Sequence, residues 1–225
     1  MDKKRLIDSQ KNAFWTALIL TIFVFAGGIL LGFMLENSRT SKIEMLYLSS
    51  ELELADMRIQ QDILSFPGFN CTEAIAENTA FADNVYEQAK TLEKYDDASE
   101  ISDAVKIQHK KYDLLRTLFW VNSINLKQKC SAQYHNIVYL YDYNEPRLDI
   151  NAKQNVLSNF LEELKLKKGN SVMLIPIAGD NGISSLSMLM SMYNVSESEL
   201  PVILIDEKIK ISEIENLEEI EKYIT

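Results

Sequence analysis

The sequence predicts a C-terminal α/β domain of order β-α-β-α-β-β-α, preceded by a helical stalk or hairpin region and one N-terminal transmembrane helix. Three observations predict it: an uncharged apolar run near the N-terminus, apolar residues at three- and four-residue steps after it, and then short β-branched segments alternating with helical ones. We therefore divide the chain into a tail (residues 1–12), a span (13–35), a helical region (36–132) and an α/β domain (133–225).

Composition narrows the classes of partner. The chain is 47% hydrophobic, which suits a protein that buries a core. Its net charge of −10 argues against nucleic acid, because phosphate backbones are bound by Lys and Arg surfaces. The same charge disfavours contact between the region after the span and anionic lipid headgroups. We read the acidic surface as solvated.

The run from Ala13 to Met34 carries no charge. A helix of roughly 20 residues crosses the ~30 Å hydrocarbon core of a bilayer. The alternative is a cleaved signal peptide, whose apolar region is about 7–15 residues and ends in a small-x-small site. This run is longer and ends in Phe33-Met34-Leu35, so we predict an anchor.

Basic residues flank the span unequally. Those before it are Lys3, Lys4, Arg5 and Lys11. Only Arg39 and Lys42 follow closely, so the positive-inside rule predicts a cytoplasmic N-terminus and an extracytoplasmic C-terminal domain at the cell membrane. Within the span, Gly28 and Gly32 form a GxxxG, a motif that lets two helices approach closely and is also frequent by chance. A homodimer through these glycines is one expectation.

Three helices are predicted between the span and the α/β domain. The first runs from Ser41 to about Leu64, could continue the membrane span as a stalk, and is broken by Phe66-Pro67-Gly68-Phe69. The second begins at the cap residue Asn70 and reaches about Tyr95. The third runs from Ser99 to about Leu126.

The α/β domain follows from strand-like and helix-like segments in alternation. Predicted strands are Ile137–Tyr141, Ser171–Ile177, Pro201–Ile205 and Ile209–Ile211. Predicted helices are Asn151–Lys167, ended by Gly169, then Ile183–Tyr193, and finally Ser212 or Glu213 to Ile224. Strands this short and apolar are typical of a sheet covered on both faces.

Tyr193-Asn194-Val195, followed by Leu200-Pro201 and the strand Val202–Ile205, resembles the signature of the thioredoxin-like family. The resemblance covers about residues 136–225. It implies a cis Leu200–Pro201 bond and, beside it, a groove that holds an extended substrate chain. More narrowly, the layout with Tyr112-Asp113-Leu114-Leu115-Arg116 and Cys130 is similar to membrane-anchored, extracytoplasmic thioredoxin-like proteins of small-genome archaea.

One departure from the family is chemical. Thioredoxin chemistry needs a Cys-x-x-Cys at the start of the first helix of the domain, where the helix N-terminus lowers the pKa of the attacking thiol. Here the two positions fall on Leu148 and Asn151, or on Asn151 and Gln154. Since no cysteine follows Cys130, we expect no dithiol activity from this domain and assign no catalytic residue.

Cys71 and Cys130 are the only cysteines. An even pair outside the cytoplasm favours a disulfide, which would close a loop of about 60 residues and add on the order of 4 kcal/mol in the chain-entropy model. A redox-active pair and two free thiols remain alternatives.

Other motifs are weaker. Asn70-Cys71-Thr72 and Asn194-Val195-Ser196 are N-glycosylation sequons, although Asn70 is also a helix cap and Asn194 is expected to be half-buried. His109 is read as a solvated helix residue and His135 as a loop residue; neither has metal-ligand spacing, so we expect no metal and no cofactor.

The sequence thus favours a redox-inactive, membrane-anchored thioredoxin-like module that binds a protein or peptide in an extracytoplasmic complex. The candidate peptide groove consists of Asn144, Glu145, Pro146, Leu200 and Pro201, which offer backbone groups to an extended chain. The alternatives are a thiol–disulfide oxidoreductase or redox sensor that uses Cys71 and Cys130, and a pure spacer.

Overall fold

The computed structural model describes four stretches of the chain, residues 2–96, 103–143, 147–214 and 217–224. The chain divides into two compact units, Met1–Leu46 and Tyr47–Thr225. A single helix, α1 (Asp2–Ile63), begins in the first unit and ends in the second. The predicted helix from Ser41 does continue the apolar segment, and the absence of Pro and Gly between Gly32 and Ile63 explains why the helix is continuous.

The first unit contains the predicted apolar span. Within α1, Phe14–Leu35 has a mean hydropathy of 2.6, and none of it is buried. By length and composition this segment is able to cross a membrane, and a signal sequence near an N-terminus meets the same description.

Two further helices, α2 (Cys71–Asp96) and α3 (Asp103–Cys130), belong to the second unit. The predicted break after α1 is confirmed, since Gly68 has a φ of 87° in the turn that contains Pro67. α3 ends at Cys130 rather than at Leu126, because no breaker residue follows Leu126. The predicted cap Ser99 lies outside the described residues.

The predicted order β-α-β-α-β-β-α is confirmed for the rest of the chain. Its elements are β1 (His135–Tyr141), α4 (Leu148–Lys168), β2 (Val172–Ala178), α5 (Ser184–Met192), β3 (Val202–Ile205), β4 (Ile209–Ile211) and α6 (Leu217–Glu221). Gly169 ends α4 with a φ of 56°, as predicted. α4 begins earlier than the predicted Asn151, and α6 is shorter than predicted.

The four strands form one mixed sheet of order β2-β1-β3-β4. β1 and β2 are parallel, and Tyr141 pairs with Ala178. β3 is antiparallel to β1, so that Leu140 pairs with Val202. The last residues of β1 and β2 and the first residue of β3 therefore share one end of the sheet. We call it the carboxyl end.

Helices cover the central strands. One apolar cluster includes Ile137 and Tyr139 of β1 together with Leu157, Leu161 and Leu164 of α4. The alternate residues of β1 are buried too, and α3 contacts β1, β2 and α5. Burial of every inner strand residue explains why these segments read as continuous apolar runs. The layers leave the ends of the sheet as the places where loops meet.

Candidate functional site

The carboxyl end of the sheet is where crevices form in open α/β sheets. The predicted Leu200–Pro201 cis bond is confirmed there, immediately before β3. Both side chains are buried, and Leu200 packs so closely on Gly179 that a Cβ at Gly179 would lie 2.8 Å from Leu200 Cδ1. The other predicted groove residues, Asn144, Glu145 and Pro146, lie outside the described residues.

The resemblance stated above implies that two thiols would fall among Leu148, Asn151 and Gln154, in the first turns of α4. Leu148, its first residue, is 86% exposed. Gln154 instead faces inward: its amide accepts from the Asp142 N–H at 2.7 Å and donates to the Asp142 carbonyl at 3.2 Å. One candidate position is thus an exposed apolar side chain, and another is a structural clamp on the loop after β1.

Beneath this end of the sheet lies a buried carboxylate, Asp113 of α3, which the sequence reading missed as a site. His109 Nδ1 lies 2.9 Å from Asp113 Oδ2, and Arg116 Nη1 lies 3.3 Å from Asp113 Oδ1. The backbone N–H of Ala178 donates to Asp113 Oδ1 at 3.3 Å, and the Asn181 amide donates to Asp113 Oδ2. Asp113 therefore ties α3 to the end of β2, as a buried charge requires partners.

His109 corrects the prediction of a solvated helix residue. Its side chain is buried and stacks on Tyr143, with ring centroids 3.8 Å apart. The physical reason is the four-residue spacing to Asp113, which puts both side chains on one face of α3, against the sheet. That spacing was the available signal, and the sequence reading overlooked it.

Arg116 completes the cluster. It is buried, and its guanidinium carbon lies 4.0 Å from the centroid of the Tyr112 ring. The Tyr112 hydroxyl donates to the Val85 carbonyl of α2 at 2.6 Å. Burial raises the pKa of Tyr112 above its ordinary value, although Arg116 opposes the shift. The phenol thus stays protonated and keeps donating to α2.

A second polar cluster lies at the opposite end of the sheet, in the turn between β3 and β4. Asp206 Oδ1 accepts from Lys127 Nζ at 2.5 Å and from the Asn136 N–H at 2.9 Å, while His135 Nδ1 lies 2.6 Å from Oδ2. Burial works to raise the pKa of Asp206, but the hydrogen bonds from Lys127 and His135 outweigh it and hold the pKa below its ordinary value. His135 is the first residue of β1, not the predicted loop residue.

Glu207 extends this cluster to α3. Its Oε1 accepts from Trp120 Nε1 at 2.8 Å and from Asn136 Nδ2 at 3.1 Å. Burial raises the pKa of Glu207 above its ordinary value. The nearby Tyr134 hydroxyl donates to the Ser123 carbonyl at 2.9 Å, and burial raises its pKa to about 12. This hydrogen-bond network holds the helical region against the sheet, which indicates a structural role.

The two cysteines form a disulfide bond, as predicted, with a Cα–Cα distance of 5.5 Å. Cys71 is the first residue of α2 and Cys130 the last of α3, and both are partly exposed. The predicted cap is also present: Asn70 Oδ1 accepts from the N–H groups of Thr72 at 3.0 Å and Glu73 at 3.4 Å. The bridge thus joins the start of one helix to the end of the next.

The sequon asparagines differ in their surroundings. Asn70 is exposed, but its side chain is engaged as the cap of α2. Asn194 is exposed rather than half-buried, because the chain turns outward there with a φ of 54°. Its carbonyl accepts from Lys210 Nζ at 2.8 Å.

Two remaining features bear on ligands. An open pocket of ≈ 400 Å³ lies between α5 and the short 3₁₀ helix Glu197–Glu199, lined by Ser187, Ser191 and Val195 among others. Within the described stretches of the chain, no group of three or more His, Cys, Asp or Glu side chains is arranged to hold a metal ion.

Comparison of the chain with protein-family models, with curated proteins and with solved structures gives no match.

Proposed function

We propose that this protein is a membrane-anchored, redox-inactive thioredoxin-like module that binds an extended protein segment on the extracytoplasmic side. The observation that carries the proposal is Leu148, an exposed apolar side chain at one of the positions, with Asn151 and Gln154, where the resemblance implies the thiols. It stands at the carboxyl end of a covered sheet, close in the chain to the predicted groove residues. Since none of Leu148, Asn151 and Gln154 is a cysteine, this end of the sheet is suited to binding rather than to electron transfer.

The order and pairing of the strands support the thioredoxin-like part of the proposal. A parallel pair, β1 and β2, is joined through α4, and β3 returns antiparallel beside β1. The residues that carry the family resemblance, Leu200-Pro201, lie at the carboxyl end of the sheet. The Asp113 cluster underneath gives this end a rigid floor, since the Asp113 carboxylate has four polar partners and one of them, His109, stacks on Tyr143.

The anchor supports the location. Phe14–Leu35 is long and apolar enough to span a bilayer, and the basic residues concentrate before it. A disulfide between Cys71 and Cys130 fits an oxidising compartment. Anchor, orientation and disulfide are thus mutually consistent.

The proposal is tested by photo-crosslinking from Leu148. A photoreactive amino acid replaces Leu148 in the full-length chain in its own membrane, and adducts are identified by mass spectrometry. The matched control carries the same probe at Leu166, which is 75% exposed near the other end of α4. We expect one recurring polypeptide adduct from position 148 and none from position 166. Equal adducts from both positions, or none from either, would contradict a binding site at the carboxyl end.

A second candidate function is a thiol–disulfide oxidoreductase or redox sensor. Partial exposure of the Cys71–Cys130 bond, with Cys71 at a helix N-terminus, favours it. It predicts mixed disulfides with other proteins after Cys71→Ser or Cys130→Ser. A bond that glutathione leaves intact, with no mixed disulfide in either variant, excludes this function.

A further inference from the structure

The outer face of α1 within the second unit carries a row of exposed apolar side chains. The row, here the α1 stripe, consists of Leu48, Leu52, Ala55, Ile59 and Ile63. Its four larger members are between 45% and 72% exposed. Because a helix turns about 100° per residue, the stripe occupies an arc of roughly 80° that contains no charged residue. It is a continuous apolar face rather than scattered exposure.

The opposite face of the same helix is already used. Met57 is buried, and the Asn122 amide donates to the Met57 carbonyl at 2.9 Å. Lys129 Nζ donates to the Leu64 carbonyl just beyond the helix, also at 2.9 Å. The helix is thus fixed to its own domain through one side, and the stripe faces outward. An exposed apolar face of this kind marks an interaction surface.

The spacing of the stripe fits a helical partner. Leu48 and Ala55 are seven residues apart, as are Leu52 and Ile59. Leu48, Leu52, Ala55 and Ile59 thus follow the 4-3-4 steps of a coiled-coil seam, in which each side chain inserts between side chains of a neighbouring helix. The next seam position is Asp62, so the seam is short and Ile63 lies beside it.

The size of the stripe restricts which helix this is. Five residues are far fewer than the roughly 20–30 per side that hold a stable complex formed from free partners. The partner must therefore already be confined beside α1. α1 also contains the apolar segment Phe14–Leu35, and this step rests on the proposed membrane anchor. Two anchored copies hold their stripes parallel and equally far along the chain from the membrane, at high effective concentration.

We propose that the α1 stripe is the contact between two copies of this chain, packed as parallel helices. The contact is symmetric, so each stripe residue lies near its own counterpart. It is distinct from the contact predicted at Gly28 and Gly32, where an added Cβ meets nothing within 4 Å. Dimerisation would place two carboxyl ends on one assembly and so offer two binding sites to one partner.

Single-cysteine crosslinking in the native membrane tests this contact. Leu52→Cys and Ile59→Cys are placed in the full-length chain, with Arg58→Cys as the matched control. Arg58 is exposed on the same helix but lies about 120° around from Leu52. After mild oxidation, we expect on the order of tenfold more covalent homodimer from the stripe cysteines than from Arg58→Cys, since only the former face their counterparts.

Any one of three results would overturn the proposal: Arg58→Cys and Leu52→Cys form covalent dimers in equal yield, neither stripe cysteine forms a covalent dimer, or the adduct contains a different protein chain. Carbonate extraction in the same experiment shows whether the chain is integral to the membrane. If it is not, the proposed function and this contact both fail. If it is, and only the stripe crosslinks are missing, the contact alone is wrong and the binding proposal stands.

Discussion

Asp113 is the residue with the most demanding surroundings in the described part of the chain. It is fully buried, and its partners are His109, Arg116, Asn181 and the backbone N–H of Ala178. A buried charge is tolerated only when its neighbours replace the lost water. Because those neighbours come from α3, β2 and the loop after β2, this one carboxylate joins three elements below the proposed binding site.

We expect Asp113→Asn to destabilise the protein by about 3–5 kcal/mol, because it leaves the buried guanidinium of Arg116 without its counterion. Thermal or denaturant unfolding of the full-length chain in detergent measures the loss. Asp149→Asn, at an exposed site on α4, is the matched control and should change little. A loss at Asp113 no larger than that at Asp149 would show that the cluster does not hold the fold together.

His109 and Asp113 also show where sequence reasoning stopped. Each residue alone reads as a polar position on a long helix. Their four-residue spacing was visible, whereas Asn181, 68 residues after Asp113, could be assigned to the cluster only once β2 had been placed. Polar contacts between residues far apart in the chain depend on how the strands and helices are arranged. The spacing of residues along the sequence therefore did not predict them.

At the scale of elements, the strands were predictable to within about one or two residues, because β-branched runs such as Ile137–Tyr141 are typical of covered strands. The ends of the helices were predicted less accurately. α4 starts at Leu148 without a side-chain cap, so the sequence holds no capping signal for its first turn. α6 ends at Glu221, three residues before the predicted Ile224.

The β3–β4 turn predicts a dependence of stability on acid. The folded-state pKa of Asp206 lies below its unfolded value, despite partial burial, through hydrogen bonds from Lys127 and His135. Its carboxylate therefore stabilises the fold above the unfolded pKa of about 3.9, and this contribution is lost as the pH falls through the lower folded pKa. Glu207 lies in the same turn, and burial raises its pKa above the ordinary value, so its shift is opposite to that of Asp206.

We expect Asp206→Asn to be less stable than the wild type near pH 7 and the difference to shrink as the pH falls below about 4. Urea unfolding across this range measures it, and both chains keep Glu207, Lys127 and His135. If the difference in free energy of unfolding stays constant down to about pH 2, Asp206 stabilises the fold through packing rather than through its negative charge.

The disulfide joins α2 to α3, so its removal should lower the free energy of unfolding of the protein. Cys71 and Cys130 are 59 residues apart, so the double Cys→Ser variant should lose on the order of 4 kcal/mol in the chain-entropy model. Either single variant should lose a similar amount. Chemical unfolding under non-reducing conditions measures the change, and a double variant as stable as the wild type would show that the bond does not stabilise the fold.

At the scale of the whole molecule, the proposed function requires the α/β domain and the N-terminal tail (residues 1–12) to lie on opposite sides of a membrane. A membrane-impermeant maleimide should label Leu166→Cys in intact cells, because Leu166 is exposed in the domain. Ser9→Cys in the tail should be labelled only after the membrane is opened. The reverse pattern would invert the orientation that the basic residues predict.

The central claim is that binding at the carboxyl end of the sheet does not depend on sulfur chemistry. The most direct measurement is the yield of the Leu148 photo-adduct in native membranes, compared between the wild-type cysteines and the Cys71→Ser/Cys130→Ser variant, with circular dichroism confirming that both are folded. We expect the same adduct in similar yield from both chains. Loss of the adduct from a folded double variant, together with mixed disulfides trapped by Cys71→Ser or Cys130→Ser, would contradict it.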